Sequence, residues 1–156
     1  MGGTLTLYLM DHGESDIFYL NNANGHVLTP PQLDGWLDEL ETAIPEIKIT
    51  VIIEACYSGS FIEGEQSISK DEPGRLVLTS TGAKLLAYAS ASGAYFSDFM
   101  LASLEQGYSM HSSFKATYAV VREMSNLRQE PQLDGNGNGI ANELSLIHIS
   151  EPTRPY

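Results

Sequence analysis

One cysteine in 156 residues excludes an internal disulfide framework and leaves the redox compartment open. Basic residues are scarce as well: eight Lys and Arg stand against twenty Asp and Glu, a formal net charge of −12. Such a surface repels phosphates, which argues against nucleic acid and anionic membrane surfaces as partners. No apolar run approaches the ~18 residues of a membrane-spanning helix. No signal peptide, internal repeat or low-complexity linker is visible in these residues. The length is that of one domain with a real core.

Several stretches read clearly. TLTLYLM (4–10) is a run of strand formers ending at Asp11-His12-Gly13. DIFYL followed by NNANGHVL reads as a hairpin turning at Asn24-Gly25. Thr29 is the expected N-cap, and Pro30 the first residue, of a helix with Leu33, Trp36, Leu37, Leu40 and Ile44 on one face, ended by Pro45. Residues 47–55, IKITVIIEA, are the most apolar segment and suit a buried central parallel strand. RLVLTST (75–81) is a further strand. Ser97 is expected to cap a helix running to Glu105 with Gly107 as its stop, and Ser112 or Ser113 to start another through about Asn126. Strands alternating with helices indicate an α/β three-layer domain around a mainly parallel sheet.

Sites in parallel α/β sheets gather at the carboxyl ends of strands. Two strands here end in reactive residues: LYLMDHG delivers His12, and TVIIEAC delivers Cys56, forty-four residues later with one helix between. Neighbouring parallel strands would bring both to one rim. A thiol becomes a nucleophile when a base or positive group helps it ionise, and imidazole supplies either. Each residue alone has a plainer reading, Cys56 as a small buried hydrophobe and His12 as a packed or surface histidine. Together at successive strand ends, each followed by small residues, they favour chemistry. His26 in a turn, His111 between helices and His148 near the C-terminus are less well placed. The backbone N–H groups of Gly13 and Cys56 could form an oxyanion hole. Glu54 shares a strand side with Cys56; it is either a wall of the substrate pocket or a carboxylate satisfied by nearby backbone or a lysine. Ser80 is a weaker pocket candidate. Asp11 could orient His12 or be a solvated loop carboxylate, and Tyr57, Ser58 and Ser60 shape the turn.

At YLMDHG and EACYSGS the sequence resembles the caspase-like cysteine peptidases, in particular the legumain-like branch that includes the catalytic subunit of glycosylphosphatidylinositol transamidase. RLVLTSTGA and FSDFMLASLEQGYS resemble the next strand and helix of that family, so the likeness runs over about residues 4–143. It implies a caspase-like fold, a cysteine endopeptidase with Cys56 as nucleophile and His12 as general acid/base, a peptide or protein substrate, and no cofactor for catalysis. It also implies that Glu54 lines S1, accepting from a P1 Asn or pairing with a basic P1. Transamidation by the same pair, or a non-catalytic extracellular caspase-like module, are the alternative readings.

Two further segments carry expectations. DGNGNGIANE (134–143) resembles a Ca²⁺ loop, with Asp134, Asn136 and Asn138 at positions 1, 3 and 5, Gly139 at 6, the Ile140 carbonyl at 7 and Asn142 at 9. Position 12 falls on Ser145, and the role would be structural; a Gly/Asn-rich turn is the other reading. LSLIHISEPTR, Leu144 to Arg154, resembles a translated sequencing adapter, so residues 144–156 are expected to be non-native. Because only eleven residues precede His12, the peptidase domain (1–143) is expected to be partial, truncated at both ends and poorly active in this form. The source is expected to be prokaryotic and metagenomic, and the location extracellular or at the cell envelope.

Overall fold

The computed structural model describes residues 2–143; Met1, His148 and the adapter-like tail lie outside the described residues. Strands β1 (Thr4–Met10), β5 (Lys48–Glu54), β6 (Arg75–Thr79) and β9 (Gln132–Asp134) form the main sheet in the order β1-β5-β6-β9. β1, β5 and β6 run parallel and β9 is antiparallel to β6. Strands β2 (Gly13–Glu14), β3 (Ile17–Asn21) and β4 (His26–Leu28) make a separate antiparallel sheet between β1 and helix α1 (Pro30–Ala43). A small hairpin, β7 (Ala89–Ser90) and β8 (Gly93–Ala94), leads into helices α2 (Tyr95–Glu105) and α3 (Met110–Met124).

Strand alternation sorts the core into two layers. Ile49, Val51, Ile53 and Val77 pack with Leu33 and Leu37 of α1. Ile52, Leu78 and Leu133 pack with Phe96, Met100, Phe114 and Val121 of α2 and α3. β5 is therefore covered on both faces, which is why its sequence is continuously apolar and not alternating. The expected three-layer architecture is present.

Local expectations hold where the signal is local. Gln32 accepts from the Thr29 N–H at 3.0 Å, Pro30 opens α1, and the helix ends before Pro45. Gly25 takes a left-handed φ of 64° at the hairpin turn. Three details differ. Trp36 is 57% exposed and Ile44 39% exposed, because the stripe that meets the sheet is only as wide as Leu33, Leu37 and the partly buried Leu40. α2 begins at Tyr95, so Ser97 lies within its first turn and does not cap it. α3 is capped by Ser109, whose side chain accepts from the Ser112 N–H.

The amino end of the sheet is closed by a buried arginine. Arg75 is 1% exposed and bonds Asp34, Asp38 and Glu41 of α1 and the Ile68 carbonyl. Burial alone would lower its pKa; hydrogen bonds to Glu41, Asp34 and Asp38 outweigh this and raise it. The ion cluster ties α1 to β6 at the end of the sheet opposite the strand tips that carry His12 and Cys56.

Candidate active site

β1 and β5 pair in register with Met10 beside Glu54. The ladder runs one bond further, the Asp11 N–H donating to the Glu54 carbonyl at 3.2 Å. His12 and Cys56 therefore leave adjacent parallel strand tips at the same level. Both line a groove of about 400 Å³, together with Asp11 and Glu54 on the strand side and Ala87, Tyr88 and Ala89 on the facing wall. His12 is exposed and Cys56 half-buried, its thiol 3.8 Å from the Ala87 carbonyl. Asp11 accepts from the His12 backbone N–H at 2.7 Å, so it fixes the start of the loop and not the imidazole ring.

Each residue of EACYSGS has a physical task in the turn. Tyr57 sits at φ 58°, a left-handed conformation that costs a non-glycine residue roughly 1–3 kcal/mol. The surrounding bonds hold it there: its N–H donates to Leu85, and Ser60 Oγ donates to its carbonyl at 2.8 Å while accepting from the Asp16 N–H at 2.9 Å. A Cβ on Gly59 would lie 2.5 Å from the Ala83 nitrogen, so only glycine lets the turn pack on segment 82–83. Gly13 is required for the same reason. A Cβ there would come within 2.7 Å of the Cys56 carbonyl, so the His12 loop and the Cys56 turn touch backbone to backbone.

Glu54 is 4% exposed. Its Oε2 accepts from the Ser97 N–H at 2.8 Å and from Ser97 Oγ at 3.0 Å. Ala94 at the N-cap has no side chain to offer, so Glu54 satisfies the first turn of α2 from another strand. Tyr8 donates to Ser97 Oγ at 2.7 Å, completing a chain that fixes the carboxylate. Oε1 is buried and has no hydrogen-bond partner, and Glu54 is one of the residues that line the groove. Burial pushes the Glu54 carboxyl up, against the lowering by Ser80 and Ser97, and nearby Asp98 adds to the rise. Asp98, in the first turn of α2, is an acidic neighbour the sequence did not single out. Ser80 is fully buried; its hydroxyl accepts from the Ala55 N–H at 3.2 Å and lies 3.4 Å from Ser58 Oγ. It supports the strand tip from beneath and is not part of the groove wall.

The 134–143 loop folds around Asp134, which is buried and accepts from the N–H groups of Asn136, Gly137 and Gly139. The Asn136 and Asn138 amides both donate to Glu143 Oε2, at 2.6 and 2.9 Å. Glu143, at loop position 10, is the acid that both amides meet, and Ser145 at position 12 lies outside the described residues. Asn142 turns away: its amide bonds Pro131 and the Leu133 N–H, so it closes the loop onto β9. Asp134, Asn136, Asn138 and Glu143 are a hard-oxygen donor set of the kind Ca²⁺ takes.

A mainly parallel sheet covered by helices on both faces is a caspase-like fold. The crystal structure of caspase-1 from Spodoptera frugiperda is similar in fold, with a TM-score of 0.62 at 15% identity; the match covers 85% of this chain and 60% of the caspase chain. The chain belongs to the Peptidase C13 family, whose sequence pattern matches residues 3–136. No curated protein sequence matches it significantly. Among the described residues, no helix is long and apolar enough to cross a membrane.

Proposed function

We propose that the protein is a legumain-like cysteine endopeptidase in which Cys56 is the nucleophile and His12 the general acid/base. The observation that carries this reading is the opening of both side chains into one groove from adjacent parallel strand tips. The Cys56 thiol passes its proton to His12 and attacks the scissile carbonyl; the resulting oxyanion is met by the N–H groups of Gly13 and Cys56. Collapse expels the amine, which takes the proton back from His12, and leaves a thioester. Water, deprotonated by His12, hydrolyses that thioester and restores the thiol.

Glu54 sets P1 in this reading. Its free Oε1 is a buried acceptor, and a P1 side chain that donates hydrogen bonds or carries positive charge satisfies it. Asn, Arg and Lys fit; P1 Asp would meet a like charge. The 134–143 loop, in the same proposal, holds a structural Ca²⁺ through Asp134, Asn136, Asn138 and Glu143, with the Ile140 carbonyl as a further donor, and takes no part in the chemistry.

The test is labelling by peptidyl acyloxymethyl ketones with varied P1, read by mass spectrometry. Modification at Cys56, lost on Cys56→Ala and strongly slowed on His12→Ala, is the expected result. Absence of labelling with every P1 would overturn the assignment.

A further inference from the structure

The facing wall of the groove, residues 82–88, has no regular secondary structure. It nevertheless carries Ala87, whose carbonyl meets the Cys56 thiol, and Tyr88, which lines the groove. Only past Tyr88 does the wall join a ladder, the β7–β8 hairpin, so the rest needs another source of order. One backbone bond ties its beginning to the catalytic turn, from Tyr57 N–H to the Leu85 carbonyl at 2.8 Å. Its end is held on one side by the Tyr95 N–H, which donates to the Tyr88 carbonyl at 3.1 Å where the β7–β8 hairpin begins, and on the other by one side chain from a distant part of the chain.

That side chain is Gln129, on the irregular segment between α3 and β9 and 0% exposed. Its Oε1 accepts from the Tyr88 N–H at 2.9 Å, and its Nε2 donates to the Ser80 carbonyl at 2.9 Å. Its own N–H donates to Ser125 Oγ at 3.0 Å, which anchors the glutamine to the end of α3. Ser80 in turn bonds the backbone of Ala55, the residue immediately before Cys56. One amide thus bridges the wall that faces the nucleophile to the support beneath it. Both of its functions are used, one as acceptor and one as donor, so no other side chain of that length reproduces the pair.

The geometry points to Gln129 as a positioning residue that sets the distance between the Cys56 strand tip and the 87–89 wall, and so the seating of a peptide in the groove. The inference rests on Cys56 as the nucleophile and His12 as its base. Gln129 touches neither residue and is not catalytic. Its loss leaves the thiol in place but lets the wall drift, and misplacement by ~1 Å costs on the order of 100-fold in a positioned reaction. A peptide that must lie against the wall loses this factor; a small reagent that needs only the thiol does not.

The experiment compares the protein with Gln129→Met, which keeps length without the bonds, and Gln129→Glu, which keeps the acceptor for Tyr88 but removes the donor to Ser80. Three quantities are read: the rate of Cys56 labelling by a peptidyl acyloxymethyl ketone, its rate with iodoacetamide across pH, and amide hydrogen exchange over residues 85–90. The expected result for Gln129→Met is a fall of roughly 10- to 100-fold in peptidyl labelling, an unchanged iodoacetamide pH profile and faster exchange at Tyr88. Gln129→Glu should fall between the two. Should Gln129→Met fail to fold, the same measurements on Gln129→Glu decide. Unchanged exchange at Tyr88 overturns the clip whatever the activity. Faster exchange with unchanged peptidyl labelling overturns its role in the groove. An unmutated protein that is never labelled by the peptidyl probe overturns the peptidase reading and with it this inference.

Discussion

Glu54→Gln separates the two tasks of that side chain, and its effect on stability has a definite sign. The substitution keeps the shape, and the variant's amide oxygen can still accept from Ser97 at the α2 N-terminus. What it removes is a charge in a buried place, where Oε1 has no partner. Burial raises the folded pKa above the ordinary 4.5. Below that value the carboxyl is neutral in the folded and unfolded chain, and the wild type carries no penalty. As pH rises through the raised folded value, the unfolded chain has already released its proton and the folded one resists, so stability falls. An unpartnered buried polar group costs ~1–3 kcal/mol, and an anion at a helix N-terminus recovers ~0.3–1 kcal/mol. The variant should therefore match wild type near pH 4 and exceed it by on the order of 1 kcal/mol at pH 7–8, by urea denaturation at each pH. In the same protein, P1 ranking should move away from Arg and Lys. A variant less stable than wild type at neutral pH, with the gap closing in acid, would refute the argument, because it would mean that the folded protein stabilises the anion.

Arg75→Met should cost ~3 kcal/mol or more in urea denaturation, because three carboxylates of α1 and Glu72 nearby lose the one cation that pairs with them among the described residues, and the Ile68 carbonyl loses a donor. Their partial exposure keeps the loss toward the low end of the range for broken buried pairs. Gly13→Ala should cost ~1–3 kcal/mol and slow peptidyl labelling of Cys56, since its Cβ would press on the Cys56 and Ile17 carbonyls. Ca²⁺ should raise the melting temperature, and Asp134→Asn with Glu143→Gln should abolish that rise; no rise in the unmutated protein would leave a hydrogen-bonded turn only.

The legible part of the site was the part written in consecutive residues. The β-branched run before Glu54 marks a central strand because a strand covered on both faces cannot alternate. The rim then follows from the parallel pairing of β1 and β5, whereas the close backbone approach that requires Gly13 and Gly59 shows only in the structure. What stayed hidden is non-local. Trp36 fits the helical stripe by period, yet period does not tell how wide a stripe the sheet covers. Ser97 looked like a cap because the true acceptor for its N–H, Glu54, stands forty-three residues away on another strand. Gln129 and Arg75 gave no local sign of burial: the Gln129 side-chain amide bonds Tyr88 and Ser80, and Arg75 bonds three carboxylates of α1, all more than thirty residues distant. Glu143 was missed because loop positions were counted from one spacing, while a carboxylate two places earlier reaches both asparagines.

The other edge of β1 makes one more property calculable. Among the described residues β1 pairs only with β5, so seven residues from Thr4 to Met10 present an open edge without charge, proline or bulge. Antiparallel pairing of two copies centred on Leu7 would set Leu5 against Leu9 and keep the leucine side and the threonine side each on one face. The net charge of −12 opposes this contact, and salt screens that opposition over ~8 Å at 0.15 M. Self-association should therefore rise with ionic strength, by light scattering or sedimentation. Thr6→Lys distinguishes the cause. It lowers the net negative charge, so if charge alone governs association the variant should associate more than wild type. If edge pairing governs it, a lysine in the middle of the strand, where Thr6 is exposed, should suppress association despite the smaller net charge. Greater association of Thr6→Lys at every ionic strength would sink the edge-pairing explanation.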